Sequence, residues 1–260
     1  MLTKRGFKFM KVYIAIISFL TLASSFCYAT EDTYRGRIGI SQNNFNTLWS
    51  GGELKSNYQS LNLGTTYIHT TGFYGDISYK TPFSKAKWNT VELTNKQGSV
   101  NDGEDEKFNR IDTTLTLGKA FEGGWTAFVG YQDSKSKMDL PSRWVTTYGS
   151  KPDESFNVNG YFVGGGKSFD FNEYGSISLS AAVGKMTAKL TDATGRVNNS
   201  TGGSGYSLGG GYNYFFTKNI GVNLEVKQQK YRYTFSNSAI LLTTGDDKMV
   251  SYGLNLIAQF

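Results

Sequence analysis

Apolar and polar residues alternate along much of this chain with a period of two, the spacing of a strand whose two faces meet different surroundings. In "YRGRIGI", Tyr34, Ile38 and Ile40 oppose Arg35, Arg37 and Gly39. In "FYGDISYK", Phe73, Ile77 and Tyr79 oppose Asp76, Ser78 and Lys80. Ile111, Leu115 and Leu117 likewise oppose Asp112, Thr114 and Thr116, and Trp125, Ala127, Val129 and Tyr131 share one face. Tyr206, Leu208, Tyr212 and Tyr214 oppose Ser207, Gly209, Gly211 and Asn213. Ile220, Val222, Leu224 and Val226 oppose Asn223, Glu225 and Lys227. Divided at its turn signals, the pattern predicts ten strands over 33–48, 56–70, 73–82, 108–121, 124–134, 155–170, 175–190, 204–217, 219–235 and 248–260. The run at 155–170 has apolar residues in both phases and assigns no face.

The connections alternate as well. Tight turns are expected at 70–72, 122–124, 172–175 and 217–219, and longer polar segments at 49–55, 83–107, 135–154, 191–203 and 236–247. Clipped turns on one side and extended loops on the other suit an antiparallel transmembrane β-barrel, with short periplasmic turns and longer extracellular loops. The three prolines, Pro82, Pro141 and Pro152, fall in or beside the long segments, where they interrupt no ladder. The fold expected is therefore all-β, a ten-stranded barrel, with eight or twelve strands as the alternatives. A soluble β-sandwich would alternate too. Three features favour the membrane: the length of the strands, opposite faces rich in glycine and in charges of both signs, and aromatic residues at strand ends. Those aromatics are Trp49, Tyr79, Trp125, Tyr131, Tyr214, Phe216, Tyr231 and Tyr233.

The first residues change the charge picture. "MLTKRGFKFMK" carries four cations and no acid, an uncharged apolar run follows, and "CYA" offers small residues at a cleavage site. That is the pattern of a secretory signal peptide over 1–29, with the barrel domain over 30–260. The apolar run is short for a membrane span and has no stop-transfer charges after it. Bulky Phe26 before Cys27 disfavours a lipoprotein. Without Lys4, Arg5, Lys8 and Lys11, the 27 basic residues fall to 23 against 21 acidic ones, so the net charge falls from +6 to +2. The basic balance is then no argument for nucleic acid. The only cysteine leaves with the leader, as suits an exported chain that does not rely on disulfides.

The chain ends in "SYGLNLIAQF". Phe260, Ala258, Leu256, Leu254 and Tyr252 fall on one face, and Gln259, Asn255, Gly253 and Ser251 on the other, with Ile257 the exception. A last strand that pairs with the first leaves no open edge in lipid. Gly253, Leu256 and terminal Phe260 resemble the C-terminal recognition signal of Gram-negative outer-membrane β-barrels. The resemblance implies residence in the outer membrane among lipid and lipopolysaccharide, and delivery by the barrel assembly machinery.

Candidate chemistry is sparse. "GGGKS" at 164–168 looks like the end of a phosphate-binding loop, but Tyr161 stands where the motif needs glycine and the next residues read as strand and turn. His69 is the only histidine and lies beside a tight turn. Omptin proteases and lipid A deacylases place theirs toward the outer rim, and the partners they need have no counterpart around His69. Asp102, Glu104, Asp105 and Glu106 could supply oxygen ligands to Ca²⁺, although their spacing is not that of an EF-hand. No cofactor is expected.

The inward set is more informative. Arg35, Arg37, Asp76, Lys80, Asp112, Glu225 and Lys227 alternate against apolar neighbours. In a lumen little wider than its side chains, opposite charges should pair, because a lone buried charge is very costly. The expectation is a non-enzymatic barrel whose lumen is largely filled by charged side chains. Its surface loops would serve external contact, adhesion or envelope integrity, toward a ligand or host surface the sequence does not specify. The alternative is a narrow passive channel for small solutes or ions.

Overall fold

The computed structural model describes residues 31–49, 52–83, 86–91, 107–139, 153–171, 174–191, 195–235 and 244–260. The expected leader at 1–29 and the acidic cluster at 102–106 lie outside the described residues. Among the described residues, eleven strands form one closed antiparallel sheet: β1 (Thr33–Trp49), β2 (Gly52–Ile68), β3 (Phe73–Pro82), β4 (Ala86–Val91), β5 (Lys107–Phe121), β6 (Trp125–Asp139), β7 (Asp153–Asp170), β8 (Gly175–Thr191), β9 (Val197–Phe215), β10 (Ile220–Phe235) and β11 (Thr244–Gln259). They make ten staves. β2 pairs with β3 from Ser60 to Ile68 and with β4 from Glu53 to Ser56, so β3 and β4 share one stave. The break follows Pro82, which has no N–H to give to a ladder.

Closure is made by β1 and β11, in register from Arg35–Gln259 to Trp49–Gly245. At the base, Tyr34 N–H donates to Phe260 O (2.9 Å) and Phe260 N–H to Tyr34 O (2.8 Å). The terminal residue thus supplies the last two hydrogen bonds of the seam. Leu256 and Phe260 point outward, 50% and 77% exposed, while Gly253 faces in against the Glu225 side chain, which a Cβ would displace.

The strands run further than the alternation predicted. β6 continues to Asp139, β9 begins at Val197, and β1 and β2 come within two residues of each other. Seventeen residues at a rise of about 3.3 Å and a tilt of about 40° reach about 43 Å along the barrel axis, whereas the apolar band of such a barrel is about 25 Å tall. The excess stands on one side. Outward residues at the short-turn end are apolar: Tyr34, Ile38 and Ile40 on β1, Trp125 and Val129 on β6, and Ile220 and Leu224 on β10. Toward the long-loop end the same faces turn polar. β1 continues with Gln42 and Asn44, β6 with Asp133, Lys135 and Lys137, and β10 with Gln228, Lys230, Arg232 and Thr234. The outer face thus divides into a lower, apolar storey and an upper, polar one.

The interior inverts in the opposite sense. Inward residues of the lower storey are Arg35, Asp76, Ser176, Asn213, Asn223 and Asn255, all buried. Those of the upper storey include Phe45, Tyr58, Phe108, Phe156, Val158, Met186, Leu190, Tyr231, Tyr233 and Phe235, with Thr47, Ser56, Arg110, Ser136 and Asp247 buried among them. The upper storey is built like a soluble protein, largely apolar inside and polar outside, the arrangement that surrounding water favours. This places two expected girdle residues differently. Tyr231 and Tyr233 are 5% and 0% exposed and fill the lumen, whereas Tyr79, Trp125, Tyr214 and Phe216 face outward. Trp49 lies at the end of β1, where side chains are outside the described set.

Candidate functional site

The lower lumen holds a polar cavity of about 140 Å³. All seven inward charges read from the alternation, Arg35, Arg37, Asp76, Lys80, Asp112, Glu225 and Lys227, line it. Their pairing is less complete than expected. Arg37 grips Asp76 with both Nη atoms, at 2.7 and 3.0 Å, and Thr66 Oγ1 donates to the same carboxylate at 2.7 Å. Asp112 is matched at 3.0 Å by Arg110, a residue outside the expected set. Among the described residues, Lys80, Lys227 and Glu225 join no ion pair within 4 Å. Lys80 instead donates weakly to Asn43 Oδ1 and Ser251 Oγ, both at 3.4 Å. Neutral amides carry much of the remaining wall. Asn223 donates to Asn213 (2.9 Å), Asn255 to Asn223 (2.9 Å) and Asn62 to Asn255 (3.4 Å), a ladder crossing β9, β10, β11 and β2.

The cavity is roofed by the apolar layer of the upper storey. On one wall Phe45 stacks on Phe108 (5.4 Å between ring centroids), which meets Tyr58 edge-on (5.7 Å). Facing them are Phe156, Val158, Met186, Ala188, Leu190, Tyr231, Tyr233 and Phe235. Arg110 lies over the Phe45 ring at 4.9 Å and is 1% exposed, so it ties the layer to the charges below. Tyr231 reaches down in the same way, giving its hydroxyl to Gln132 Oε1 at 2.8 Å. The lumen is therefore filled by two materials. Charged side chains do not fill most of it, as the sequence led us to expect; the seven expected charges line the lower part, and in the upper part buried Arg110 and Asp247 stand among rings and aliphatic side chains. Glycine makes room for the rings: a Cβ on Gly203 would stand 2.8 Å from Tyr233 Cδ1.

The remaining candidates lie away from the lumen. His69 sits at the β2–β3 turn, where Nδ1 contacts Thr71 Oγ1 (2.7 Å) and Nε2 lies 3.9 Å from Asp32. Asp32, just before β1, accepts from the Tyr67 hydroxyl (2.7 Å) and Thr70 N–H (3.1 Å). The Tyr67 bond first, and then the Thr70 bond, hold its carboxyl below the usual range. This cluster ties the start of the barrel to its first short turn. "GGGKS" lies within β7, which is followed among the described residues by strand β8 rather than a helix, and Lys167 points outward over Trp125 at 4.9 Å while donating to Gly123 O.

Sequence reasoning passed over a third feature. Just above the apolar band, Lys55, Lys135, Lys137, Lys185, Lys189, Lys230, Arg232 and Lys248 sit on the outer face. Among the described residues of that belt, Asp133 pairs with Lys135 (3.1 Å) and Asp246 with Arg232 (2.8 Å). Lys230 and Lys248 stand directly opposite each other on β10 and β11. The alternation held the signal, since these cations are in phase with the apolar residues below them.

No family model and no curated protein matches the chain. Solved structures do. The outer membrane protease OmpT of Escherichia coli superposes with a TM-score of 0.56 at 11% identity, over 92% of this chain and 99% of that one. Ail, the attachment invasion locus protein of Yersinia pestis, gives 0.42 at 14% identity over 89% and 100%, and Neisserial surface protein A gives 0.39 at 10% over 86% and 96%. The chain has the fold of the outer-membrane β-barrels: a closed antiparallel barrel of ten staves with an apolar belt.

Proposed function

We propose that this protein is a non-enzymatic, non-conducting barrel of the outer membrane that holds its outer rim and loops clear of the membrane for contact with the outside. One observation carries the reading: the aromatic and aliphatic layer across the upper lumen, in which Tyr233, Met186 and Val158 pack in one cluster and Phe108 against Phe45 and Tyr58, all four fully buried. A path for solute would leave such side chains wetted. The lower storey anchors the barrel, and its upper storey raises the rim about 18 Å above the apolar band, from about seven residues per strand. Lipopolysaccharide and other anionic lipid are the partners of the cationic belt, whose charges stand level with headgroup phosphates. Lys230 and Lys248, like charges directly opposite each other, gain from an anion between them.

The test is conductance. The purified barrel in planar bilayers should show no steady current above the bare membrane. A steady current in the wild-type protein would overturn this reading in favour of a narrow passive channel. Turnover of lipid or peptide by the folded barrel, abolished in His69→Ala, would overturn the non-enzymatic part.

A further inference from the structure

One four-residue pattern occurs twice on the outer wall of the lower storey. Gly118-Lys119-Ala120-Phe121 closes β5, and Gly166-Lys167-Ser168-Phe169, which overlaps "GGGKS", lies near the end of β7. Each strand runs down to a short turn. In both copies the small residues face the lumen, Ala120 and Ser168 being buried, and the lysine and phenylalanine face outward. A second aromatic residue stands directly across from each lysine: Phe73 opposite Lys119 and Trp125 opposite Lys167. Each ammonium therefore lies against two rings. Lys119 Nζ is 4.6 Å from the Phe73 centroid and 6.0 Å from that of Phe121; Lys167 Nζ is 4.9 Å from Trp125 and 5.5 Å from Phe169. The negative ring faces hold both cations against the outer wall.

Both cations are short of acceptors. Among the described residues Lys119 makes no hydrogen bond or ion pair, and Lys167 donates once, to Gly123 O. Glu122 and Asp170, at the two turns beneath, come within 4 Å of neither ammonium. An ammonium has three N–H donors, so most of theirs face outward unused. One row further from the turns, Leu117, Val129 and Val163 stand side by side, each more than half exposed. The wall thus presents cations near the turns and an apolar face beyond them, the order of phosphate and acyl chain in a membrane lipid. We propose that β5, β6 and β7 bind an anionic glycerophospholipid of the phosphatidylglycerol class in the leaflet on the short-turn side. Its phosphate and ester oxygens accept from Lys119 and Lys167, and its chains lie on Leu117, Val129 and Val163. A zwitterionic lipid serves less well, because its headgroup brings a cation of its own to a site already holding two. The site lies at the opposite end of the apolar band from the cationic belt, and it rests on the lower storey lying in the bilayer, as proposed above.

Trp125 reports on this site directly. Replacing Trp49, Trp88 and Trp144 with phenylalanine leaves it the only tryptophan. That barrel, folded into vesicles of phosphatidylcholine, is titrated with phosphatidylglycerol or with phosphatidylcholine brominated on the acyl chains, and quenching of Trp125 gives the relative association constant of the two lipids. The expected result is a preference of about fivefold for the anionic lipid, lost in Lys119→Gln with Lys167→Gln and reduced in either single variant. Lys218→Gln, which removes the same charge from the β9–β10 turn, should keep the preference. If the double variant does not fold, the single variants against Lys218→Gln decide. Equal quenching by the two lipids in the parent barrel, an undiminished preference in the Lys119 and Lys167 variants, or an equal loss in Lys218→Gln would overturn the proposal. Quenching by neither lipid would overturn the seating of the lower storey in the bilayer, and the site with it.

Discussion

Replacing Leu224 and Thr234 on β10 separately with arginine puts the same charge on the same outward face, ten residues apart. Leu224 is 50% exposed and lies within the run Ile220–Val226 that faces lipid; Thr234 follows Arg232 on the polar stretch. Ten residues at about 3.3 Å and a tilt of about 40° separate the two by about 25 Å along the barrel axis, the full height of an apolar band. An arginine near the bilayer midplane of a barrel costs about 2–4 kcal/mol, and beyond the interface about 0–1 kcal/mol. Since each 1.4 kcal/mol is about a tenfold change in an equilibrium constant, Leu224→Arg should lower the folding constant by about two orders of magnitude and Thr234→Arg by less than tenfold. The inward neighbour of Thr234 gives the converse. Tyr233 is fully buried in the upper lumen, and Tyr233→Ala should cost about 3–5 kcal/mol, as for other large core residues. Reversible guanidinium unfolding in lipid, followed by tryptophan fluorescence, measures all three. Equal costs for the two arginines would refute the two-storey division. A cost below about 1 kcal/mol for Tyr233→Ala would show that the upper lumen is not a packed core.

Deleting Phe260 removes the last two seam bonds and the aromatic terminus, and should reduce heat-modifiable folded barrel in cells while leaving export intact; an unchanged folded yield would count against a role in recognition. Tyr231→Gly with Tyr233→Gly should let a current through where replacing Arg35, Arg37 and Lys80 with alanine does not, because the roof and not the charge network blocks the path; a conducting alanine triple would reverse that order. The depressed Asp32 carboxyl stabilises the folded barrel above the ordinary aspartate value of about 4, and this contribution disappears as pH falls through the lower folded value. Exchange at the Thr70 amide should accelerate below about pH 4 in the wild type and show no such step in Asp32→Asn; a step of the same size in both would remove Asp32 as its cause. Lys230→Gln with Lys248→Gln should weaken lipopolysaccharide co-purification and leave folding in neutral detergent unchanged, and undiminished co-purification would exclude that pair as a contact.

Much of the lower storey was legible in the sequence. The outward apolar residues of β1, β3, β6, β10 and β11 and the seven inward charges follow from parity alone, which a strand enforces without reference to its neighbours. Ile257, the exception in the last strand, is one of the inward residues at 2% exposure. The upper storey was harder to read because parity says which residues share a face and not what the face meets. Tyr231 and Tyr233 are in phase with Glu225 and Lys227, and that phase marked them as inward; taking them as girdle aromatics ignored it. The ambiguity of 155–170 has the same source. Phe156 and Val158 face the upper core while Tyr161 and Val163 face lipid, so one strand carries apolar residues in both phases at different heights. Arg110 was passed over because adjacent Ile111 set the phase of its strand, although Arg110 and Asp112 stand two apart on one face.

The cationic belt has a consequence for time as well as place. To leave the membrane toward the periplasm, the barrel would drag Lys135, Lys185, Lys230, Lys248 and their neighbours through hydrocarbon. At about 2–4 kcal/mol for each cation at the midplane, even four crossing together add on the order of 10 kcal/mol to the escape barrier. The same charges must pass once during insertion, when the seam between β1 and β11 is still open and water and other protein can shield them. After the seam closes that shelter is gone. For a barrel seated as proposed, insertion is therefore in effect one-way once the seam has closed.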